Sequence, residues 1–128
     1  MMLAQNFNFV AGAAIHNHDL LTIDTTNSNA QTLAVKPATN SSCVVGQATC
    51  DVSAGGFVPF QPLAIGQVIV CQAGASLSAG AQLGISSTES KYGQVVGSGA
   101  LPLFAVDAAS AAGDLIRVVC AAALDANT

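Results

Sequence analysis

The stretch AGDLIRVVCA, residues 112–121, combines the two local signals that decide the fold of this chain. A small residue and a glycine are followed by a run dominated by β-branched and other apolar residues. Glycine adopts backbone angles that other residues disfavour and is therefore typical of tight turns. Valine and isoleucine favour extended strands. The stretch therefore predicts a turn that leads directly into a β-strand.

The same succession of turn and strand recurs three more times along the chain. AGGFV occupies residues 54–58, IGQVI residues 65–69 and AGAQL residues 79–83. The irregular spacing of these stretches argues against a solenoid built from equal repeats. We interpret the recurrence as shared turn chemistry in a β-barrel.

Short β-rich runs, separated by Gly, Pro, Asn and Ser, extend over most of the sequence, and no window has the apolar periodicity of an amphipathic helix. We therefore predict an all-β fold, a small single-domain β-barrel or β-sandwich with an extended N-terminal arm. Residues 1–18 form the arm or a first strand, and residues 19–128 form the β-domain. The predicted strands are Leu20–Asp24, Gln31–Lys36, Cys43–Val52, Phe57–Phe60, Gln67–Gln72, Gln82–Ser86, Gln94–Val96, Leu103–Val106 and Asp114–Ala121.

Three segments between these strands have the composition of turns or loops. TTNSN, residues 25–29, is a polar turn or hairpin tip, and KPATNSS, residues 36–42, is a loop because its proline lacks a backbone donor. Residues 107–112 allow either a single helical turn capped by Asp107 or a loop.

The charge content excludes several classes of protein. Only 8% of the 128 residues are charged, with three Lys and Arg against seven Asp and Glu. Without a basic stripe the chain has no means of neutralising nucleic-acid phosphates or an anionic membrane surface. The longest apolar windows fall far short of the roughly 20 residues that span a bilayer, and the N-terminus lacks a signal-peptide pattern. We expect a soluble chain whose weakly polar surface suits burial against other proteins.

The residues that could support catalysis or metal binding do not form a recognisable site. His16 and His18, in the sequence HNHD, would face the same side of a strand, but two ligands do not complete a zinc site. No GxSxG elbow is present, and the seven acidic residues are scattered. We therefore predict no catalytic site, no metal, no cofactor and no enzymatic activity.

The four cysteines lack the CxxC spacing of zinc and redox sites. Without a secretory signal, free buried thiols that pack as small hydrophobic residues are favoured. A Cys43 to Cys50 bridge across a hairpin stays open as an alternative.

The N-terminal sequence NFNFV, Asn6, Phe7, Asn8, Phe9 and Val10, alternates polar and apolar residues as a half-buried strand does. It is either an ordinary first strand or an arm whose phenylalanines dock on a neighbouring subunit. We take these five residues as the candidate interface. On the second alternative, deletion of residues 1–10 leaves a soluble β-rich protein that assembles poorly.

The second half of the chain resembles the small capsid-cement family of phage head decoration proteins. The resemblance covers Cys43 to Ala121 and is carried by CVVGQATCDVSAGGFVPFQP, GASLSAGAQLGIS and YGQVVGSGALPLFAVDAASAAGDLIRVVCA. Its most specific element is AVDAASAAGDLIRVV, residues 105–119.

The resemblance implies a structural virion protein made in the host cytoplasm and bound to the outside of an expanded capsid. Its partners would be the major capsid protein and further copies of itself, with a trimer favoured. A phage tail or fibre component is one alternative. A secreted carbohydrate-binding β-sandwich is another, although such sites usually need aromatic platforms and the chain has no Trp and one Tyr.

Overall fold

A computed structural model describes residues 8–28, 32–40 and 44–121, and it confirms the all-β fold of a small single domain. No α-helix occurs in these residues, and the one helical element is a 3-10 turn at Glu89–Lys91. The ten strands are β1 Asn8–Ala11, β2 Leu20–Ile23, β3 Thr32–Pro37, β4 Gly46–Ala48, β5 Phe60–Gln61, β6 Val68–Gln72, β7 Gly84–Ile85, β8 Val95–Val96, β9 Leu103–Ala105 and β10 Leu115–Cys120.

Each strand from β2 to β10 overlaps one predicted strand, and several are shorter than expected. The predicted loop 36–42 is wrong at its start, because β3 continues to Pro37, which pairs with Leu21. β4 covers three residues of the predicted Cys43–Val52, since the chain turns away from the sheet after Ala48. Residues 107–112 form a loop rather than a helical turn. Ala109 and Leu77 exchange two backbone hydrogen bonds there, which fixes the loop in an extended bridge.

The first half of the chain forms a curled five-stranded sheet in the order β1-β3-β2-β4-β5. β1 runs parallel to β3, and the other neighbours are antiparallel. The segment 57–61 closes the curl, because Val58 donates a hydrogen bond to Phe9 at its start while β5 pairs with β4 at its end. The enclosed core consists of Ala11, Ile15, Leu21, Val35, Ala48 and Val58.

The second half curls in the same way around a larger core. β6, β10 and β9 form an antiparallel sheet, and β7 pairs with β8. Backbone hydrogen bonds continue from β9 to residues 81–83 and from β8 to residues 73–74, so that the two sheets surround one set of apolar side chains.

The strand β2 separates the two cores. Leu20 packs into the larger core and Leu21 into the smaller one, and both side chains are fully buried. Successive residues of a strand point to opposite faces, so a strand that is buried on both faces is apolar at successive positions. The LL pair of β2 has this pattern.

The four glycine stretches form four similar turns. Gly55, Gly66, Gly80 and Gly113 all have φ between 83° and 98°. In each turn the backbone N–H of the residue after the glycine donates to the carbonyl of the residue two places before the glycine. This is the arrangement of a type II turn with glycine in third place. The predicted role of these glycines is therefore confirmed.

Each glycine turn also docks on a distant residue through a reciprocal pair of backbone hydrogen bonds. Gly80 donates to the carbonyl of Ala105 at 2.7 Å, and Ala105 donates back to the carbonyl of Ala81 at 2.9 Å. The same exchange joins the other three turns to their partners. The four partners, all buried, are Ala11, Ala73, Ala105 and Cys120.

Substitution of one docked glycine tests this arrangement. No heavy atom lies within 4 Å of a Cβ added at Gly80, so Gly80→Ala differs from the native chain in backbone strain alone. A side chain at positive φ costs about 1 to 2 kcal/mol, and we expect the free energy of unfolding to fall by that amount in urea titrations. Gly97→Ala, at a glycine without positive φ, is the matched control and should change it far less. Equal effects of the two substitutions would contradict the account.

Candidate functional site

The outer face of the β6-β10-β9 sheet is apolar and exposed. The strand register places Val119 between Val68 and Phe104, and Arg117 beside Val70. Val106 continues β9 and donates its N–H to the carbonyl of Arg117. We call this surface the outer face, and its members are Val68, Val70, Phe104, Val106, Leu115, Arg117 and Val119.

The exposure of these side chains is unusual for large aliphatic residues. Val68 and Leu115 are each 57% exposed, Val106 is 40% exposed and Val70 is 38% exposed. They alternate with the buried residues Ile69, Cys71, Ile116 and Val118, so the sheet is apolar on both faces. A contiguous apolar surface on a small protein marks a site of interaction with another macromolecule.

One ion pair lies within the outer face. Arg117 donates from Nε to Asp107 Oδ2 at 2.9 Å and from Nη2 to Asp107 Oδ1 at 2.7 Å, while its backbone N–H also donates to Oδ2. These hydrogen bonds, with the Arg117 side chain contributing most, lower the pKa of Asp107 to about 2. The pairing leaves the face without net charge.

The low pKa of Asp107 predicts a dependence of stability on pH. A carboxyl whose pKa is lower in the folded chain than its ordinary value of 3.8 stabilises the fold above that value, and the contribution is lost as the pH falls towards 2. The pKa of Asp24 is lowered chiefly by a hydrogen bond from the Asn27 side chain, and the pKa of Asp114 is lowered as well. Both shifts make the stability of the fold fall with pH in the same direction.

We therefore expect Asp107→Asn to make the fall in unfolding free energy between about pH 4 and pH 2 shallower, measured by urea unfolding at several pH values. Arg117→Ala removes the donor and should flatten the same part of the curve. A slope that neither substitution changes would show that the pair does not form in solution.

The N-terminal residues predicted as an interface lie partly in the first sheet. Asn8, Phe9 and Val10 belong to β1, whereas Asn6 and Phe7 lie outside the described residues. The Phe9 ring is half-buried and meets the Phe60 ring edge-on, with 4.9 Å between centroids. β1 is hydrogen-bonded to β3 on one side and to residues 56–58 on the other. A contact of these residues with another chain stays a prediction.

Substitution of the two phenylalanines of this segment distinguishes an ordinary first strand from an arm that docks on a neighbouring subunit. Because Phe9 packs inside the chain, we expect Phe9→Ala to lower the unfolding free energy by about 1 to 3 kcal/mol. Phe7→Ala tests the intermolecular role, and it should weaken assembly without a comparable loss of stability. Urea unfolding and sedimentation of both variants measure the two effects. Unchanged stability of Phe9→Ala would contradict the packing.

His16 and His18 lie in a turn, so the strand geometry that would place both imidazoles on one side does not occur. Residues 16–19 form a turn in which Asp19 donates its N–H to the carbonyl of His16, and His18 has a φ of 76°. Among the described residues, no three His, Cys, Asp or Glu side chains lie close enough to hold a metal ion.

The cysteines differ in their surroundings. Cys71 and Cys120 are buried in the larger core, as expected for thiols that pack as small hydrophobic residues, and burial raises the pKa of Cys71 to about 12. Cys50 is a free thiol and is exposed rather than buried. Cys43 lies outside the described residues.

A buried amide, which the sequence did not single out, joins the two halves of the chain. Gln47 on β4 donates from Nε2 to the carbonyl of Val70 at 2.6 Å and to that of His18 at 3.1 Å. Its Oε1 accepts a hydrogen bond from Gln61 at 3.3 Å. Losing a buried partner leaves a polar group unsatisfied, so this amide fixes the position of β6 against the first sheet.

A polar cleft of about 680 Å³ lies where the two halves meet. Its lining includes His16, Asp19, Lys36, Glu89, Tyr92 and Gln94. The Asp19 carboxylate accepts a hydrogen bond from the His16 backbone N–H at 2.9 Å, and its Oδ2 lies 3.7 Å from His16 Nδ1. Burial raises the pKa of Asp19 because water is withdrawn from the ionised form.

The outer face was missed by the sequence analysis, although a signal for it exists. In VIVCQ of β6 and LIRVVC of β10, the positions on both sides of the strand are apolar. Such a strand in an antiparallel sheet either lies between two layers or exposes one apolar face, and pattern alone does not distinguish these cases.

No protein-family model matches the chain, and a search of curated proteins finds no significant relative. Within the described ranges, no helix is long and apolar enough to cross a membrane.

Proposed function

We propose that this chain is a capsid decoration protein, a structural component that binds the outer surface of an expanded phage head. The outer face of the β6-β10-β9 sheet is the observation that carries the proposal. It offers several exposed aliphatic side chains on a regular sheet and has no net charge. Such a face favours a large protein surface as its partner over a small ligand.

The physical effect of docking follows from the composition of this face. Burying one aliphatic side chain of this size stabilises a complex by about 1.5 to 3 kcal/mol before the costs of association are subtracted. A protein that binds only the assembled, expanded shell shifts the equilibrium away from disassembly by mass action. Attachment across neighbouring major capsid subunits therefore reinforces their contacts, with no catalytic group required.

The resemblance of residues 43–121 to capsid-cement proteins supports the same proposal. It adds the expectation that the chain forms a small oligomer, with a trimer favoured. The alternation in NFNFV, outside the resemblance, gives the separate expectation that residues 6–10 contact a neighbouring subunit. The low charge content of 8% is consistent with a surface largely covered by other protein.

The proposal is tested with heads of the encoding phage that lack the protein. Labelled chain is sedimented with these heads, and Val68→Asp and Leu115→Asp are compared with the native chain. We expect each substitution to weaken binding ten- to a hundredfold, since it replaces about 1.5 to 3 kcal/mol of apolar burial with a charge.

Thr25→Asp is the matched control, because it adds the same charge at an exposed residue of the β2–β3 hairpin. It should bind as the native chain does, and circular dichroism should show the same β-rich spectrum for all variants. Native binding by both outer-face variants would contradict the proposed surface. Native chain that binds tails but not heads would instead identify a tail component.

A further inference from the structure

The polar cleft has the dimensions and the fixed walls of a small-molecule site. Its volume of about 680 Å³ lies within the usual range of roughly 300 to 1,000 Å³ for such sites. Residues from the turn after β1, the end of β3, the end of β6 and the segment 89–94 contribute to it. It adjoins the outer face, because Gln72 lies on the same side of β6 as Val68 and Val70 and pairs with Leu115 of β10.

The backbone around the cleft is held by hydrogen bonds from both halves of the chain. Gly93 has a φ of 82°, donates its N–H to the carbonyl of Ala38 at 2.8 Å and accepts from Leu20 at 3.0 Å. Tyr92, directly before it, is therefore attached to a fixed turn. A Cβ on Gly93 would lie 2.9 Å from the Asp19 carboxyl carbon, so this turn packs closely on the buried acid. A preformed site loses little entropy when a ligand binds.

The side chains of the cleft match a ligand that both donates and accepts hydrogen bonds. Gln94 carries an amide that does both, and the carboxylate of Glu89 accepts. Lys36 offsets part of the negative charge, so the cleft strongly selects neither an anion nor a cation. Asp19 is only 3% exposed, so it supports the turn at Gly93 rather than facing a ligand.

The Tyr92 side chain indicates which class of ligand fits the cleft. Tyr92 is the single tyrosine of a chain without tryptophan, and it lines this cleft in a half-buried position. An aromatic ring beside carboxylates and amides can cover the apolar face of a pyranose ring while the polar groups bind its hydroxyls. We infer that the polar cleft binds a short neutral saccharide through Tyr92, Glu89 and Gln94.

The cleft adjoins the proposed capsid surface at Gln72, but the substitutions that test the two proposals lie at different residues, so the proposals succeed or fail separately. The cleft presents one aromatic ring where many saccharide sites present several, so we expect binding that is roughly millimolar rather than tight. Weak single-site binding becomes effective when many copies are displayed on one particle.

The test uses the full chain and its single tyrosine as reporter. Oligosaccharides of glucose, galactose, mannose and N-acetylglucosamine serve as neutral probes, with glucose phosphate and spermidine as anionic and cationic comparators. We expect at least one neutral probe to change Tyr92 fluorescence saturably and to shift the backbone amide resonances of residues 89–94.

Three variants relate this binding to the cleft. Tyr92→Ala should weaken it at least tenfold, measured by amide shifts, whereas Tyr92→Phe keeps the ring and should retain most of it. Ser87→Ala, at an exposed position outside the cleft, is the control. Response to the phosphate or the polyamine alone would overturn the inference. So would the absence of any response to the neutral probes at tens of millimolar, or native binding by Tyr92→Ala.

Discussion

The reciprocal pair of backbone hydrogen bonds between each glycine turn and a buried small residue is the constraint on which the rest of the fold depends. The strands are short, between two and six residues, and a buried peptide group without a partner costs free energy comparable to a lost hydrogen bond. Four turns give a donor and an acceptor to Ala11, Ala73, Ala105 and Cys120, at places where the sheets would otherwise end. The turns thereby close both sheets around their cores.

This construction explains why the chain folds with so few charges and why its described residues contain no α-helix. Most of its hydrogen bonds join backbone groups to one another. β2 supplies apolar side chains to two cores at once through Leu20 and Leu21. Gln47 adds a buried polar link between the first sheet and β6. With both cores enclosed in this way, the outer side of β6, β10 and β9 is not needed for internal packing. Its aliphatic residues are available for another protein.

Local features of the sequence predicted the strands well, because turn chemistry and side-chain preference are local. The positive φ of Gly80 and Gly113 follows from the glycine and the strand after it. The residues on which these turns dock do not follow, because Ala105 and Ala73 differ from other alanines only in their long-range partners. His16 and His18 lie in a local turn before β2, outside the predicted strands. The outer face and the polar cleft likewise arise from strand register and from contact between the two halves of the chain.

The assignment of the outer face as the attachment surface is the central claim about function, and a cryo-electron microscopy reconstruction of the phage particle tests it most directly. The account predicts copies of the chain on the outside of the expanded head, with β6, β10 and β9 against the shell and Val68 and Leu115 covered by major capsid protein. A reconstruction in which this face points to solvent, or in which the chain is absent from the head, would contradict it.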